Sequence, residues 1–202
     1  MKRIILLGAG GHSRACSDVI RAEGLYEIAG VVVPEVEMEL YRHNGNLLGS
    51  DRDLPRLLPS VDAAAIAFAP IRCFNSRISC FRLLQQLNAN LPSIISPYSY
   101  CAPTSSVGIG SIIMHGAIIN AYAIIGSDCV INSRALVEHD VTIGDHCHIS
   151  TGALVNGSVS IGHSVFIGSG TIIKEGLSIG NNVLIGAGKV IRNNVASGTV
   201  CK

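Results

Sequence analysis

The hydrophobic positions follow different patterns on either side of residue 96. In the first part, short apolar runs alternate with segments of helical periodicity. These segments are 3–7, 13–22, 29–33, 63–68, 75–87 and 93–95. Such alternation predicts βαβ units, in which helices cover a small parallel sheet. Pro92 and Pro97 bracket the last run and mark a boundary, so we divide the chain into domains at 1–96 and 97–202.

Beyond this boundary an aliphatic residue returns at every sixth position, in an unbroken run of fifteen. The run consists of Val107, Ile113, Ile119, Ile125, Ile131, Val137, Ile143, Ile149, Val155, Ile161, Ile167, Ile173, Ile179, Ile185 and Ile191. A period of six matches neither an α-helix nor an ordinary strand. It predicts a solenoid, namely a triangular coil of about eighteen residues per turn and about five turns, with the aliphatic side chains inside.

Glycines and small residues accompany these aliphatic positions. Glycine directly follows seven of them, at 108, 126, 144, 162, 168, 180 and 186. We expect these glycines to provide positive φ or close backbone approach at the corners of the coil. Small residues stand two positions before many of the aliphatics, where they would let each corner close. They are Ala117, Ala123, Cys129, Ala135, Cys147, Ala153 and Thr171.

Composition and charge exclude several classes of protein. The 202 residues are 48% hydrophobic, which is enough for one large or two small buried cores. Because 15 basic residues nearly balance 14 acidic ones, neither nucleic acid nor an anionic membrane is an expected partner. The apolar run 4–7 ends at Gly8, too soon for a signal peptide or a membrane span. We therefore expect a cytoplasmic location.

The cysteines are odd in number and show no CxxC spacing, so we interpret them as reduced core thiols. Cys101, Cys129 and Cys147 fall at slots that require small apolar residues. Cys147 lies between two histidines, but its inward slot argues against a nucleophilic role. The seven cysteines are Cys16, Cys73, Cys80, Cys101, Cys129, Cys147 and Cys201.

Two motifs give the chain its resemblance to a known family. The sequence GAGGHSR occupies 8–14, and LVEHDVTIGDHCHIS occupies 136–150 within the hexad run. Together with the hexads, they resemble the bacterial sugar O- and N-acetyltransferases that modify sialic acids or nucleotide-linked amino sugars. The resemblance implies a Rossmann-like N-terminal domain followed by a left-handed parallel β-helix of hexapeptide repeats. It also implies acetyl-CoA as co-substrate, no metal, and a homotrimer with sites between subunits.

The resemblance assigns roles to particular residues. His139 matches the catalytic base, and Asp140 matches the acid beside it, although Glu138 could equally orient the imidazole. His148 matches a histidine that contacts the acyl-CoA. Both histidines fall outside the aliphatic register and are expected to face outward. The matched binding residues are Ser169 and Ala187 in the coenzyme groove, Asn132 near the acceptor, and Gly8, Gly11 and His12 in a nucleotide-sugar loop.

The chain departs from the family at three places. The second strand ends at Val33-Pro34, where an acidic residue is usual, and Ala67-Phe68-Ala69-Pro70 replaces a glycine-rich turn. The family's closing tail has no counterpart before Lys202, so we expect weaker acyl-CoA binding. GAGGHSR is a partial dinucleotide motif, which argues against a redox dinucleotide but fits a phosphate of a nucleotide sugar.

The sequence leaves the reaction partly open. N-acetylation of a nucleotide-linked amino sugar is favoured by the N-terminal loop, and O-acetylation of a sialic acid is the alternative. A zinc hydratase would need stacked histidine ligands about eighteen residues apart. No such pair exists among the histidines of the coil, and we expect His115, His146 and His163 to be structural or solvated. A non-catalytic solenoid is a further alternative.

Overall fold

The computed structural model describes residues 1–41, 46–70 and 74–202, and it begins with a small parallel sheet. The four strands of this sheet are β1 (Lys2–Leu7), β2 (Tyr26–Val33), β3 (Leu47–Ser50) and β4 (Ala63–Ile66). They lie in the order β3-β2-β1-β4, and every neighbouring pair is parallel. Because helices cover a parallel sheet on both faces, its central strands are nearly continuous apolar runs.

Helices lie on both faces of this sheet. They are α1 (Gly11–Glu23), α2 (Met38–Tyr41), α3 (Leu54–Leu57) and α4 (Asn75–Gln86), with 3₁₀ turns at Glu35–Glu37, Asp51–Asp53 and Leu58–Ser60. Val19 and Ile20 of α1 pack in the core of one face, and Phe81 and Leu84 of α4 pack in the core of the other. This arrangement confirms the predicted βαβ organisation. Within the described residues, no helix has the length and apolar character needed to cross a bilayer.

The apolar run 93–95 belongs to the second part of the molecule, and its placement with the first sheet was wrong. Its strand β5 (Ile94–Ile95) pairs with the strand at Ile112–Ile113, which lies in the coil. The run is apolar because the coil and α1 bury it from two sides. The coil therefore begins to pair before residue 96.

From β5 onward the chain is a left-handed β-helix built from two-residue strands. The strands after β5 are β6 (Tyr100–Cys101), β7 (Ser106–Val107), β8 (Ile112–Ile113), β9 (Ile118–Ile119), β10 (Ile124–Ile125), β11 (Val130–Ile131), β12 (Leu136–Val137), β13 (Thr142–Ile143), β14 (His148–Ile149), β15 (Leu154–Val155), β16 (Ser160–Ile161), β17 (Phe166–Ile167), β18 (Ile172–Ile173), β19 (Ser178–Ile179), β20 (Leu184–Ile185), β21 (Val190–Ile191) and β22 (Val200–Cys201). Most strands pair with the strand one turn further on, as Ile131 does with Ile149. The fifteen predicted hexads correspond to β7–β21, and β5, β6 and β22 extend the coil beyond them.

The coil has three faces. We name one the docked face, because the N-terminal domain covers it, and the other two after their outward residues. The docked face carries β5, β8, β11, β14, β17, β20 and β22; the apolar face carries β6, β9, β12, β15, β18 and β21; the polar face carries β7, β10, β13, β16 and β19. The apolar face presents Tyr100, Ile118, Leu136, Leu154, Ile172 and Val190 in one stacked row. Three members of the row are 40–54% exposed, namely Tyr100, Ile118 and Val190.

The interior of the coil agrees with the hexad prediction. The aliphatic positions from Ile113 to Ile185 are all at most 2% exposed, and the small inward residues are equally buried. Cys129 and Cys147 lie in this interior and donate their thiol hydrogens to the carbonyls of Gly144 and Gly162. The described cysteines are all free thiols, whereas Cys73 lies outside the described residues.

The glycine prediction was right about close approach and wrong about positive φ. A Cβ built on Gly144 would lie 2.8 Å from the carbonyl carbon of Gly162 in the next turn. Positive φ instead occurs two positions after the glycine slot, as at Asp128, Asp140 and His146. The chain therefore turns the corner at that later residue. The glycine slot has a different role, because it lies against the backbone of the neighbouring turn and leaves no room for a Cβ.

The N-terminal domain sits on the docked face. Ile94, Ile112 and Met114 of the coil share a buried cluster with α1. Phe81 of α4 packs edge-on against the ring of His146, with ring centroids 5.5 Å apart. The two domains therefore contact each other along the docked face and, through His146, at the corner that leads into it from the polar face.

Candidate active site

His139 lies on an exposed corner between the apolar face and the polar face. It follows β12, and its side chain is 60% exposed. Its ring lies over Gly157 of the next turn, where a Cβ would come within 2.7 Å of the imidazole. Glycine at this position leaves the space in which the ring rests.

Asp140 orients the His139 ring. Its Oδ2 atom is 2.8 Å from Nδ1 of His139, and its φ of 59° lets a residue so close in sequence turn back onto the ring. Because a carboxylate only accepts hydrogen bonds, Nδ1 carries the proton, and in the neutral ring Nε2 keeps its lone pair. Glu138 is held elsewhere, since its Oε2 accepts a hydrogen bond from Asn120 at 2.9 Å. Asp140 is thus the acid that orients the imidazole.

His148 faces outward from the coil, but it is only 4% exposed because the N-terminal domain covers it. Its Nδ1 is 2.8 Å from the carbonyl oxygen of Pro70, and its ring packs edge-on against Phe166 at 5.1 Å. A carbonyl can only accept, so Nδ1 carries the proton here too. Burial lowers the pKa of His148 and keeps the ring neutral.

Asn132 lies in the turn that precedes His148, and both ends of its amide have a partner. Its Oδ1 accepts a hydrogen bond from the Ser133 amide at 2.8 Å. Its Nδ2 lies 3.3 Å from Nε2 of His148, which is the unprotonated nitrogen of that ring. An amide nitrogen has two hydrogens, so the second can donate to a ligand atom.

The predicted coenzyme residues lie on the same corner as Asn132, between the docked and apolar faces. Ser169 follows β17, and its hydroxyl is 2.9 Å from that of Ser150 in the preceding turn. Ala187 follows β20 and is exposed. The Gly188 amide donates to the Ser169 carbonyl at 2.9 Å, so the backbone runs regularly along this corner.

The loop 8–12 brings His12 next to this corner. Gly8 has a φ of 116°, and α1 starts at Gly11 after Gly10, which provides no side-chain cap. Nε2 of His12 is buried and has no hydrogen-bond partner. Burial lowers the pKa of His12 to about 4, with smaller contributions from the charge of Arg77 and from the charge that His148 carries when it is protonated. At neutral pH His12 therefore offers a ligand a hydrogen bond and no charge.

The lowered pKa of His12 makes stability depend on pH. Its ordinary pKa is 6.5, so the unfolded chain takes up a proton between pH 6.5 and about 4 while the folded chain resists it. The contribution of neutral His12 to the free energy of unfolding is therefore fully present above pH 6.5, and it is lost as the pH falls from 6.5 to about 4. We expect His12→Gln to lose less stability than wild type on acidification, by up to roughly 3 kcal/mol. Urea unfolding at pH 7 and at pH 4 measures this difference, and parallel losses in the two proteins would contradict it.

The site residues fall into two groups that do not meet within one chain. Asn132, His148 and His12 lie where the docked face meets the N-terminal domain, and Ser169 and Ala187 continue that corner. His139 and Asp140 lie on the opposite edge of the apolar face. The width of that face separates the predicted base from the predicted binding residues.

The remaining histidines of the coil have structural partners. His115 bridges Ser96 at 2.6 Å and Asp18 of α1 at 3.1 Å. His163 accepts a hydrogen bond from the Asp145 amide at 3.0 Å, as part of a ladder along one corner. His146 pairs with the buried Asp128 at 2.9 Å. Over residues 1–41, 46–70 and 74–202, no cluster of three or more His, Cys, Asp or Glu side chains could hold a metal ion.

Two features next to the candidate site escaped prediction from the sequence. The first is the carbonyl of Pro70, which belongs to the Ala67-Phe68-Ala69-Pro70 segment and orients His148. The second is Arg77, a buried cation of α4 whose side chain is 1% exposed. Arg77 stands four residues before Phe81 and seven before Leu84, so it lies on the buried face of the helix. This helical spacing in the sequence could have indicated that Arg77 is buried.

Comparison with known proteins places both parts of the chain. Residues 3–69 match the PglD N-terminal domain, and residues 122–157 and 158–193 match the bacterial transferase hexapeptide (six repeats). The comparison with curated protein sequences gave no match.

Solved structures share the whole architecture. The acetyltransferase domain of PglB from Neisseria gonorrhoeae FA1090 is 26% identical, with a TM-score of 0.87 over 99% of this chain and 96% of that chain. PerB from Caulobacter crescentus, solved in complex with CoA and GDP-perosamine, is 27% identical, with a TM-score of 0.87 over 99% and 93%. WeeI from Acinetobacter baumannii AYE, at 23% identity and a TM-score of 0.85 over 100% and 97%, shows the same fold.

Proposed function

Because this chain belongs to the bacterial sugar acetyltransferases that join a PglD N-terminal domain to transferase hexapeptide repeats, we propose that it acetylates the amine of a nucleotide-linked amino sugar. The observation that carries the proposal is the His139–Asp140 pair, with its proton on Nδ1 and the lone pair of Nε2 free on an exposed edge. Acetyl-CoA is the donor, and His139 is the general base. PerB, which was solved with CoA and GDP-perosamine, supports the choice of acceptor class.

In this mechanism the acetyl group moves directly from sulfur to nitrogen. The lone pair of the neutral amine attacks the thioester carbonyl, and Nε2 of His139 takes the proton that the amine loses. The tetrahedral intermediate collapses by breaking the C–S bond, and the protonated His139 returns its proton to the leaving thiolate. Asp140 stabilises the imidazolium that exists between these two steps. An amide N–H such as the second one of Asn132 can stabilise the oxyanion.

The N-terminal domain offers a pocket for the nucleotide. A cavity of about 270 Å³ opens at the carboxyl ends of its strands, where open parallel sheets bind ligands. Apolar side chains line most of it, including Val33, Leu54 and Phe68, and the Ser76 and Ser79 side chains add hydroxyls. Such a lining suits a planar base with a few polar edges.

Asp51 supplies the carboxylate that the end of β2 lacks. It follows β3, the neighbouring strand, and it lines the same cavity. Its Oδ1 accepts a hydrogen bond from the Glu35 amide at 3.1 Å, which ties it to the end of β2. We assign Asp51 to the ribose hydroxyls, because a carboxylate at this edge of the sheet accepts hydrogen bonds from a sugar diol.

A homotrimer would bring the two groups of site residues together. The stacked row on the apolar face is a contiguous apolar surface, which marks an interaction site in a soluble protein. Cyclic packing of identical chains joins one edge of each copy to the other edge of its neighbour. His139 of one copy then faces the corner of Asn132 and Ser169 on the next.

An acceptor panel tests the proposed reaction. Release of CoA from acetyl-CoA is measured with nucleotide-linked amino sugars, with the same sugars lacking the nucleotide, and with sialic acids. We expect turnover with the first group, much weaker turnover with the second and none with the third. Loss of selectivity for the nucleotide in Asp51→Asn would support the pocket assignment. Turnover of sialic acids alone would replace the proposal by O-acetylation, and no turnover with any acceptor would overturn it.

A further inference from the structure

Arg77 is an arginine almost completely buried between the two domains. It lies on α4, and its guanidinium crosses to the coil, where Nη2 is 2.8 Å from Oδ1 of Asp128. The two atoms are close enough to form an ion pair, but their geometry is not that of a hydrogen bond. Oδ2 of Asp128 pairs with His146 at 2.9 Å, so the carboxylate is held from both sides. A charge this deeply buried requires such compensation.

The same guanidinium also holds the backbone that reaches His148. Its Nη1 donates to the carbonyl of Ile66 at 2.9 Å and to the carbonyl of Phe68. These carbonyls lie four and two residues before Pro70, whose own carbonyl accepts the Nδ1 proton of His148. A planar fork of donors can hold two carbonyls and a carboxylate at once, which an ammonium cannot do in fixed geometry.

We propose that Arg77, paired with Asp128, is a positioning residue that holds the Pro70 carbonyl against His148 and thereby aims the Asn132 amide into the acyl-transfer site. The inference rests on the proposed function for the meaning of that site. Pro70 fixes the His148 proton on Nδ1, so Nε2 accepts from Asn132. The remaining N–H of Asn132 is then left for the substrate. Arg77 acts through this chain of contacts and touches no substrate itself.

The variants are chosen so that no buried charge is left alone. Arg77→Gln combined with Asp128→Asn removes both members of the ion pair together, which proteins tolerate better than the loss of one. Arg77→Lys keeps a cation opposite Asp128 but lacks the fork. Arg82→Gln is the matched control, because Arg82 is an exposed arginine on the same helix.

The first readout is the tautomer of His148, measured by ¹⁵N NMR on histidine-labelled protein and assigned with His148→Gln. We expect the Nδ1-protonated form in wild type and in Arg82→Gln, and a mixture of tautomers in the double variant. Arg77→Lys should fall between them. An Nε2-protonated His148 in wild type would overturn the proposal, as would an unchanged tautomer in both Arg77 variants. If the double variant does not fold, Arg77→Lys decides.

The second readout is kinetic. We expect kcat/KM of the double variant to fall by about 10-fold or more. Unchanged kcat/KM in a folded double variant would contradict the positioning role. The tautomer needs no turnover to be observed, so failure of wild type to acetylate any acceptor would overturn the proposed function and leave the NMR result interpretable.

Discussion

Replacing His139 with alanine is expected to lower kcat by about 10²- to 10⁴-fold, the usual contribution of a positioned general base. Binding of acetyl-CoA should change little, since the proposed coenzyme site is the Ser169–Ala187 corner of a neighbouring copy and does not include His139. The 60% exposure of His139 and its place over Gly157 make the substitution tolerable for folding. Steady-state kinetics with calorimetric titration of acetyl-CoA measures both effects.

Two variants control for this prediction. His163 is 61% exposed and also lies on a corner of the coil, so His163→Ala matches the change without touching the site. Asp140→Asn keeps the base but weakens its orientation, and its kcat should fall between those of wild type and His139→Ala. Full activity in His139→Ala would move attention to His148, whose Nε2 also carries a lone pair.

The coil could be predicted from the sequence because every turn places equivalent positions in its interior. Each inward position requires an aliphatic residue, so the hexad run from Val107 to Ile191 is unbroken. The corner geometry was harder to predict. Positive φ occurs at Tyr122 and Arg134 as well as at glycines. Stacking between turns imposes that conformation whatever the local preference of the residue.

The site was predictable where its contacts are local. The pairing of His139 with Asp140 joins adjacent residues and follows from the motif. The surroundings of His148 depend on how a distant domain docks, and neither the Pro70 contact nor the burial of Arg77 repeats along the chain. Asp51, which follows the neighbouring strand, lines the cavity at the end of β2, and a search for a carboxylate along β2 alone could not find it.

Two inactive variants are expected to restore activity to each other when they assemble together. His139→Ala removes the base from one edge of the apolar face, and Asn132→Ala removes the amide from the other. In the proposed homotrimer, each variant alone has the same defect at every site. In a mixed trimer, some sites combine the intact Asn132 of one copy with the intact His139 of its neighbour. Random mixing of equal amounts makes about one quarter of the sites complete, by the cyclic arrangement of identical interfaces.

Acetylation by such mixed oligomers is the most direct test of a site built from the edges of two chains. The variants carry different affinity tags and are co-expressed, and oligomers that hold both tags are purified. Light scattering should give a mass of three 21.2 kDa chains. We predict about a third of wild-type kcat per chain in the mixed oligomers, because every trimer that holds both variants has one complete site of three, and almost none in either parent. Mixed trimers no more active than their parents, or a fully active monomer, would contradict it.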